Sequence, residues 1–352
     1  MDPYEPTNAS EPGQRPEEMS GSEPSSMNAG EPSREELERA ILGAEPELTA
    51  QQVADAAGVS RDDAQRLWQA LGFPDAGDAV AFTADDLDAL RTVHRAIDGG
   101  EIDAETATRL TRAVGHTMAR LADWQVSTLA EHVEGRAREG TSRLASALDL
   151  SQTVAPAFEE LLVYAWRRHL AAAVSRIEAL GAAEEDLLAA ELTVGFADLV
   201  SFTQLTNGLD DDELAALVER FETRCGDVVT ARGGRVIKTL GDSILFVADK
   251  PAEAVEIALG VVDEIGPDAD LPDVRIGLAS GTVITRFGDV FGPPVNLASR
   301  LTTVARRNRV IADRATADAL PEESFDTRAL PPRSLRGFGS VEPITVRRRW
   351  PY

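Results

Sequence analysis

Hydrophobic and polar positions divide the chain into two halves of different period. From Leu37 to about Gly181 apolar residues recur at helical spacing in successive amphipathic segments, with no strand-like alternation. Ser33 and Glu36 form the capping box that opens the first of them. After about Leu192 the period shortens. Strands are predicted at 192–197, 235–240, 243–247, 274–280, 284–291 and 309–312, with a closing pair near 334–338 and 344–348. Between the first two lies a helix whose Leu214, Leu217, Val218 and Phe221 share a face, entered through an Asp210–Glu213 box. Another helix covers 251–265, with Val255, Leu259 and Val262 on one side.

The order strand, helix, strand, strand, helix, strand predicts an α+β fold, a ferredoxin-like, palm-like sheet with helices on one side, preceded by an all-α domain. A right-handed crossover makes the first two strands parallel, and the third, antiparallel, fits between them. The domain reading is an acidic disordered tail over 1–32, an all-helical domain over 33–170, a helical connector over 171–190 and an α+β domain over 191–352.

Within the helical half, LTAQQVADAAGVSRDDAQRLWQALGF (48–73) reads as helix, turn at Gly58, and second helix capped by Ser60. A DNA-binding helix-turn-helix needs a basic recognition helix, yet Arg61, Asp62, Asp63, Gln65 and Arg66 give no basic excess. A structural helix pair is therefore preferred to the alternative of a nucleotide-responsive transcription regulator.

Charge narrows the choice further. With 60 acidic against 35 basic side chains, a net charge of −25, the chain is unsuited to sequence-independent capture of nucleic acid or an anionic membrane. No apolar run approaches the roughly 20 residues of a membrane span, and no signal-peptide pattern opens the sequence, so a cytoplasmic protein is expected. The single cysteine, Cys225, excludes an intrachain disulfide and fits a small buried side chain in a helix.

Two aspartates gain meaning from the topology. Asp198 ends the first strand in FADLVSFT, and Asp242 lies in the Gly241–Asp242 turn of IKTLGDSIL, between strands two and three. The fold brings both to one edge of the sheet, where paired carboxylates repel unless a cation lies between them, and oxygen-only ligation suits Mg²⁺ or Mn²⁺. Alone, each reads better as a turn residue or helix cap than as a metal ligand. A third segment, GDVFGPPVNLASRL (288–301), adds Asn296 and Arg300 four apart on one helical face, with Asp289 ahead of the helix.

Over roughly 191–349 these three segments, in order and internal spacing, resemble the class III adenylyl/guanylyl cyclase family. The resemblance implies that Asp198, Asp242 and the Leu199 backbone carbonyl hold two Mg²⁺ or Mn²⁺ ions per active site. It implies that Lys238 and Asp289 select the base, a donor and an acceptor matched to adenine and hence to ATP. The Glu and Cys that guanylyl cyclases generally place there are absent. Arg300 matches the arginine that stabilises charge on the pentavalent phosphorus, and Asn296 the asparagine that orients the ribose. Arg275 and Arg336 fall where the family places phosphate-contacting basic residues, although Arg336 replaces the more usual Lys. In the family Asp242 of one chain works with Lys238 of the other, so a homodimer with two shared sites is implied. Asp198, Asp242 and Arg275 would come from one protomer, and Lys238, Asp289, Asn296, Arg300 and Arg336 from its partner.

The helical half resembles, through less specific motifs, the regulatory domains that some actinobacterial cyclases carry. All four histidines, His94, His116, His132 and His169, fall in it. A proton sensed between about pH 5.5 and 8 is thus one candidate regulator, and a fatty acid held by apolar helix faces another. Ordinary partly exposed histidines and plain core packing explain the same residues. A diguanylate cyclase, with a similar sheet, is disfavoured because its Gly-Gly-Asp/Glu-Glu-Phe hairpin is missing.

Overall fold

The computed structural model describes residues 32–138, 142–179, 189–286 and 288–349. The expected acidic tail falls outside them except for residue 32, as do residues 180–188 of the expected connector. The chain divides into two units at Trp166 and Arg167.

In the first unit α1 (Arg34–Leu42), β1 (Leu48–Thr49), α2 (Ala50–Ala57), α3 (Arg61–Leu71), β2 (Val80–Phe82), α4 (Ala84–Asp98), α5 (Ala104–Arg138) and α6 (Arg143–Thr153) follow in order. α7 (Ala155–Ala179) runs through the division point. The Ser33–Glu36 box forms as expected, with Ser33 N–H donating to Glu36 and Glu36 N–H to Ser33 Oγ. A small core of Val53, Ala54, Ala64, Trp68, Phe82 and Leu90 joins α2, α3 and α4. The expectation of no strands fails here. β1 and β2 form a short antiparallel ribbon, too brief and irregular in register to show a period of two.

The helix pair at 48–73 is present, with Ser60 Oγ capping α3. Arg61 donates to Asp78 and to the Gly77 carbonyl, and Arg66 pairs with Asp63. The arginines of α3 are thus neutralised by acidic neighbours, and α3 packs against α5, where a Cβ at Gly115 would meet the Leu71 backbone.

The second unit contains β3 (Ala189–Leu199), α8 (Phe202–Thr206), α9 (Asp211–Ala231), β4 (Arg235–Leu240), β5 (Ser243–Ala248), α10 (Pro251–Ile265), β6 (Val274–Arg286), β7 (Asp289–Phe291), α11 (Pro293–Val304), β8 (Arg309–Ala312), α12 (Arg314–Asp318), β9 (Phe325–Ala329), β10 (Arg333–Leu335), β11 (Gly339–Val341) and β12 (Ile344–Arg348). It is an α+β domain. Its main sheet has the order β4-β5-β3-β6-β8-β12-β9, with β5 antiparallel to both β3 and β4. The ferredoxin-like order expected for the first four strands is therefore present.

Helices on one side only is corrected to helices on both. Alternate strand residues feed two cores. Ala197, Leu199, Ile244, Phe246, Ile276 and Leu278 pack with α9 and α10. Leu192, Val194, Leu245, Val247 and Ala279 pack on the opposite face with Ala298 of α11. A strand buried on both faces reads as a continuous apolar run, which hides which face each helix covers. α11 comes close because Gly277 has no side chain; a Cβ there would lie 2.4 Å from the Ala298 carbonyl oxygen and the Thr302 nitrogen.

Three further boundaries differ. β6 continues unbroken to Arg286 and turns back as β7, where separate strands at 274–280 and 284–291 were expected. Gly281, at φ 152°, occupies a backbone region open to glycine and carries the strand through a position that reads as a break. The expected closing pair does not pair with itself: β10 pairs with β11, and β12 lies between β8 and β9. Cys225 is buried in α9, and that burial pushes its thiol pKa up.

Candidate active site

Strand register builds the centre of the site. Asp198 lies directly opposite Ser243 of β5 on one side and Arg275 of β6 on the other, so three polar side chains form one rung across three strands. Asp198 stands at the end of β3 as expected, one residue before its last, because the ladder on both sides extends the strand from the expected 197 to Leu199. Its Oδ2 accepts from Arg275 Nε at 2.7 Å, with Nη2 at 2.6 Å, and its Oδ1 accepts from Ser243 Oγ at 2.5 Å. Only 14% of the Asp198 side chain is exposed. Ser243 was not anticipated; its one signal is its place as the first strand residue after the Gly-Asp turn.

Gly241, at φ 66°, makes that turn, and the Asp242 carbonyl accepts from Leu199 N–H at 3.0 Å, which ties the turn to the end of β3. Burial first, and then the negative charge of Asp198, raise the Asp242 carboxyl above its ordinary pKa, with Arg275 opposing the rise. Beyond Leu199 the chain turns through Ser201, a non-glycine residue at φ 61°, into α8.

Two neighbouring carboxylates and one guanidinium make an oxygen-rich, negatively biased corner. Among the described residues no group of three or more His, Cys, Asp or Glu could hold a metal ion. An all-protein cage is not formed there. Two carboxylates suit Mg²⁺ or Mn²⁺, which take few protein ligands and complete their shell with water and substrate phosphates.

A second pair forms on the β4 side. Lys238 Nζ donates to Asp289 Oδ2 at 2.5 Å, and Asp289 Oδ1 accepts from Val290 N–H at 2.8 Å. Both side chains are about a third exposed, at 33% and 27%. A bulge after Val236 brings Lys238 opposite Leu245, a residue of the α11-side core, so Lys238 and the Asp198 rung share one face of the sheet. β7 carries Asp289 back toward β4.

α11 buries Pro294, Ala298, Leu301 and Thr302 and leaves Asn296 and Arg300 on its exposed side. Arg336 is exposed just after buried Leu335 in the β10–β11 hairpin. Among the described residues the Asn296, Arg300 and Arg336 side chains have no hydrogen-bond or ion-pair partner. The fold thus brings Asp198, Asp242 and Arg275 together, and Lys238 with Asp289, while among the described residues no side-chain hydrogen bond or ion pair joins the two groups or attaches these three side chains to either.

In the helical unit His94 Nε2 lies 3.1 Å from Asp98 Oδ2 and His116 and His132 are exposed, while the exposed His169 lies on α7 beyond the division point. A cavity lined by Trp68, Phe73 and Phe82 has about 10 Å³, room for roughly one water and far too little for an acyl chain. No described helix is long and apolar enough to cross a membrane.

Residues 188–346 match the model of the adenylate and guanylate cyclase catalytic domain. A Streptomyces coelicolor protein named adenylate cyclase is 40% identical over 354 residues, covering 93% of this chain and 93% of that one. An adenylate cyclase of Streptomyces griseus is 43% identical over 284 residues, 81% of this chain and 71% of that protein, and one of Glutamicibacter nicotianae is 36% identical over 329 residues, 88% and 81%. With the rung at Asp198, the Asp242 turn and the exposed Asn296 and Arg300 in their motif positions, the chain belongs to the class III adenylate and guanylate cyclase family.

Proposed function

We propose that the chain is an adenylate cyclase that converts ATP to 3′,5′-cyclic AMP and pyrophosphate in a homodimer with two shared sites. The observation that carries the choice of substrate is the Lys238–Asp289 pair, a donor and an acceptor side by side on the face of the sheet that also bears Asp198. Adenine presents an acceptor at N1 and a donor at its 6-amino group, so Lys238 and Asp289 exchange each other for one base edge. Asn296 orients the ribose. Arg300 stabilises the charge that grows on the phosphoryl oxygens, while Arg275 and Arg336 bind phosphates. Asp198, Asp242 and the Leu199 carbonyl would hold two Mg²⁺ or Mn²⁺ ions, which when bound supply Lewis-acid activation of the 3′-hydroxyl and neutralise the triphosphate.

Replacing the pair by Lys238→Glu with Asp289→Cys removes both base contacts and is expected to lower kcat/KM for ATP by about 10²-fold or more. Cyclic AMP formation measured against GTP turnover checks it. An unchanged preference for ATP would remove these two residues from base selection.

Sharing of the site is supported by Asn296, Arg300 and Arg336 having no partners of their own, and by exposed Leu240, Ile284 and Phe291 on the β4 and β6–β7 side. α7 likewise exposes Phe158, Leu161, Tyr164, Trp166, Leu170 and Val174, a surface that a second copy would cover. Mixing inactive Asp242→Ala and Arg300→Ala chains should restore about a quarter of wild-type activity, because half the exchanged dimers are mixed and each has one complete site. No recovery after demonstrated subunit exchange would reject shared sites.

Regulation by the helical unit is part of the same reading. The candidate signals remain a proton at His94, His116, His132 or His169 and a fatty acid on the apolar helix faces.

A further inference from the structure

We propose that Arg275 is a resident counter-cation for Asp198, and that its release makes metal binding and triphosphate binding depend on each other. The inference rests on the reading of Asp198 and Asp242 as metal ligands and concerns what occupies them first.

Both oxygens of Asp198 are engaged in the chain by itself. The Arg275 guanidinium makes two contacts on Oδ2, at 2.6 and 2.7 Å, and Ser243 holds Oδ1. The register favours this arrangement, since the three residues are direct cross-strand neighbours. The pair is poorly exposed, 14% for Asp198 and 31% for Arg275, so water screens it weakly. A divalent ion binds a carboxylate oxygen at roughly 2.1 Å. That is the region the guanidinium fills. An arriving ion must displace Arg275 or share the carboxylate with a like charge.

Arg275 leaves readily only for another anion. A polyphosphate offers one, with oxygens suited to a guanidinium fork. Once Arg275 has turned to it, Asp198 is free for the ion, Ser243 still holds Oδ1 and keeps the carboxylate in plane, and Asp242 no longer faces a bare negative neighbour. The metal alone therefore meets an occupied ligand, whereas metal with polyphosphate meets a vacated one.

The test is Mn²⁺ titration of the full-length protein, with free Mn²⁺ followed by electron paramagnetic resonance. It is run without nucleotide and with 3′-deoxy-ATP, which lacks the attacking hydroxyl. Wild type should bind Mn²⁺ at least about tenfold more tightly with the analogue than without it. Arg275→Gln should bind Mn²⁺ alone about tenfold more tightly than wild type, and gain less than about threefold from the analogue. Asp198→Asn gives the non-specific background expected of so acidic a chain. If Asp198→Asn loses the specific binding while Arg275→Gln binds Mn²⁺ alone no better than wild type, the counter-cation role is overturned and the ligand assignment stands. If Asp198→Asn retains full binding, the ligand assignment itself falls. Should circular dichroism show Arg275→Gln unfolded, Arg275→Lys decides: it keeps the charge but loses the two-point grip, so tighter binding of Mn²⁺ alone supports the role and wild-type affinity overturns it.

Discussion

Asp198→Ala and Asp242→Ala are each expected to lower kcat by about 10³-fold or more while leaving the fold intact, because each removes half of the carboxylate pair proposed to hold the cation. Neither side chain belongs to a hydrophobic core, so no cavity of apolar atoms is opened. Asp198→Ala leaves Arg275 without its partner, but Arg275 is about a third exposed and water can take over part of its solvation. Asp242→Ala separates stability from function more cleanly. Burial and the charge of Asp198 raise the Asp242 carboxyl, so its ionised form is disfavoured by the fold at neutral pH, and protonation as pH falls through the raised pKa relieves the cost. Without metal, the thermal midpoint of Asp242→Ala at pH 7 should be equal to or above that of wild type, although its activity is lost. Cyclic AMP assays beside calorimetry check both halves of the expectation. Wild-type turnover in either variant would reject the two carboxylates as the catalytic centre.

Gly277→Ala should be among the most damaging small substitutions in the chain. Its Cβ would stand 2.4 Å from the Ala298 carbonyl oxygen and the Thr302 nitrogen, both backbone atoms of α11, and 2.6 Å from Thr302 Oγ1. Backbone cannot give way as the tip of a side chain can, so α11 must lift from β6. A cost of about 2–4 kcal/mol is expected, with a fall of several degrees in Tm. Asn296 and Arg300 ride on α11, so turnover should fall further than stability alone explains, while the Ser243–Asp198–Arg275 rung keeps its place on β5, β3 and β6. Unchanged Tm and activity would mean that α11 tolerates displacement.

Much of the fold was legible because its signals are local. The Asp210–Glu213 capping box, the apolar face ending at Phe221 and the 251–265 helix all form as read, and their order suffices for the arrangement of the first four strands. The pairing of Asp198 with Arg275 was not legible, since 77 residues separate them and only the β3–β6 register brings them together. The bulge after Val236 was equally hidden. It breaks the alternation between Val236 and Lys238, and nothing in RVIKTL marks it. α11 on the second face escaped notice for a related reason, as β3, β5 and β6 are apolar on both sides and favour neither.

The Lys238–Asp289 bond has a mechanical side. β4, β5, β3 and β6 follow one another across the sheet, β7 folds back from β6, and the ion pair fastens β7 to β4. The strands therefore trace a hoop whose last link is not a ladder of backbone hydrogen bonds but one buckle between two side chains. On the proposed base reading, a base that enters here must undo the buckle, and the hoop stays closed only where the base itself bridges Lys238 and Asp289, as the acceptor and donor of adenine would. A base with the reverse pattern would leave a cation and an anion both unanswered.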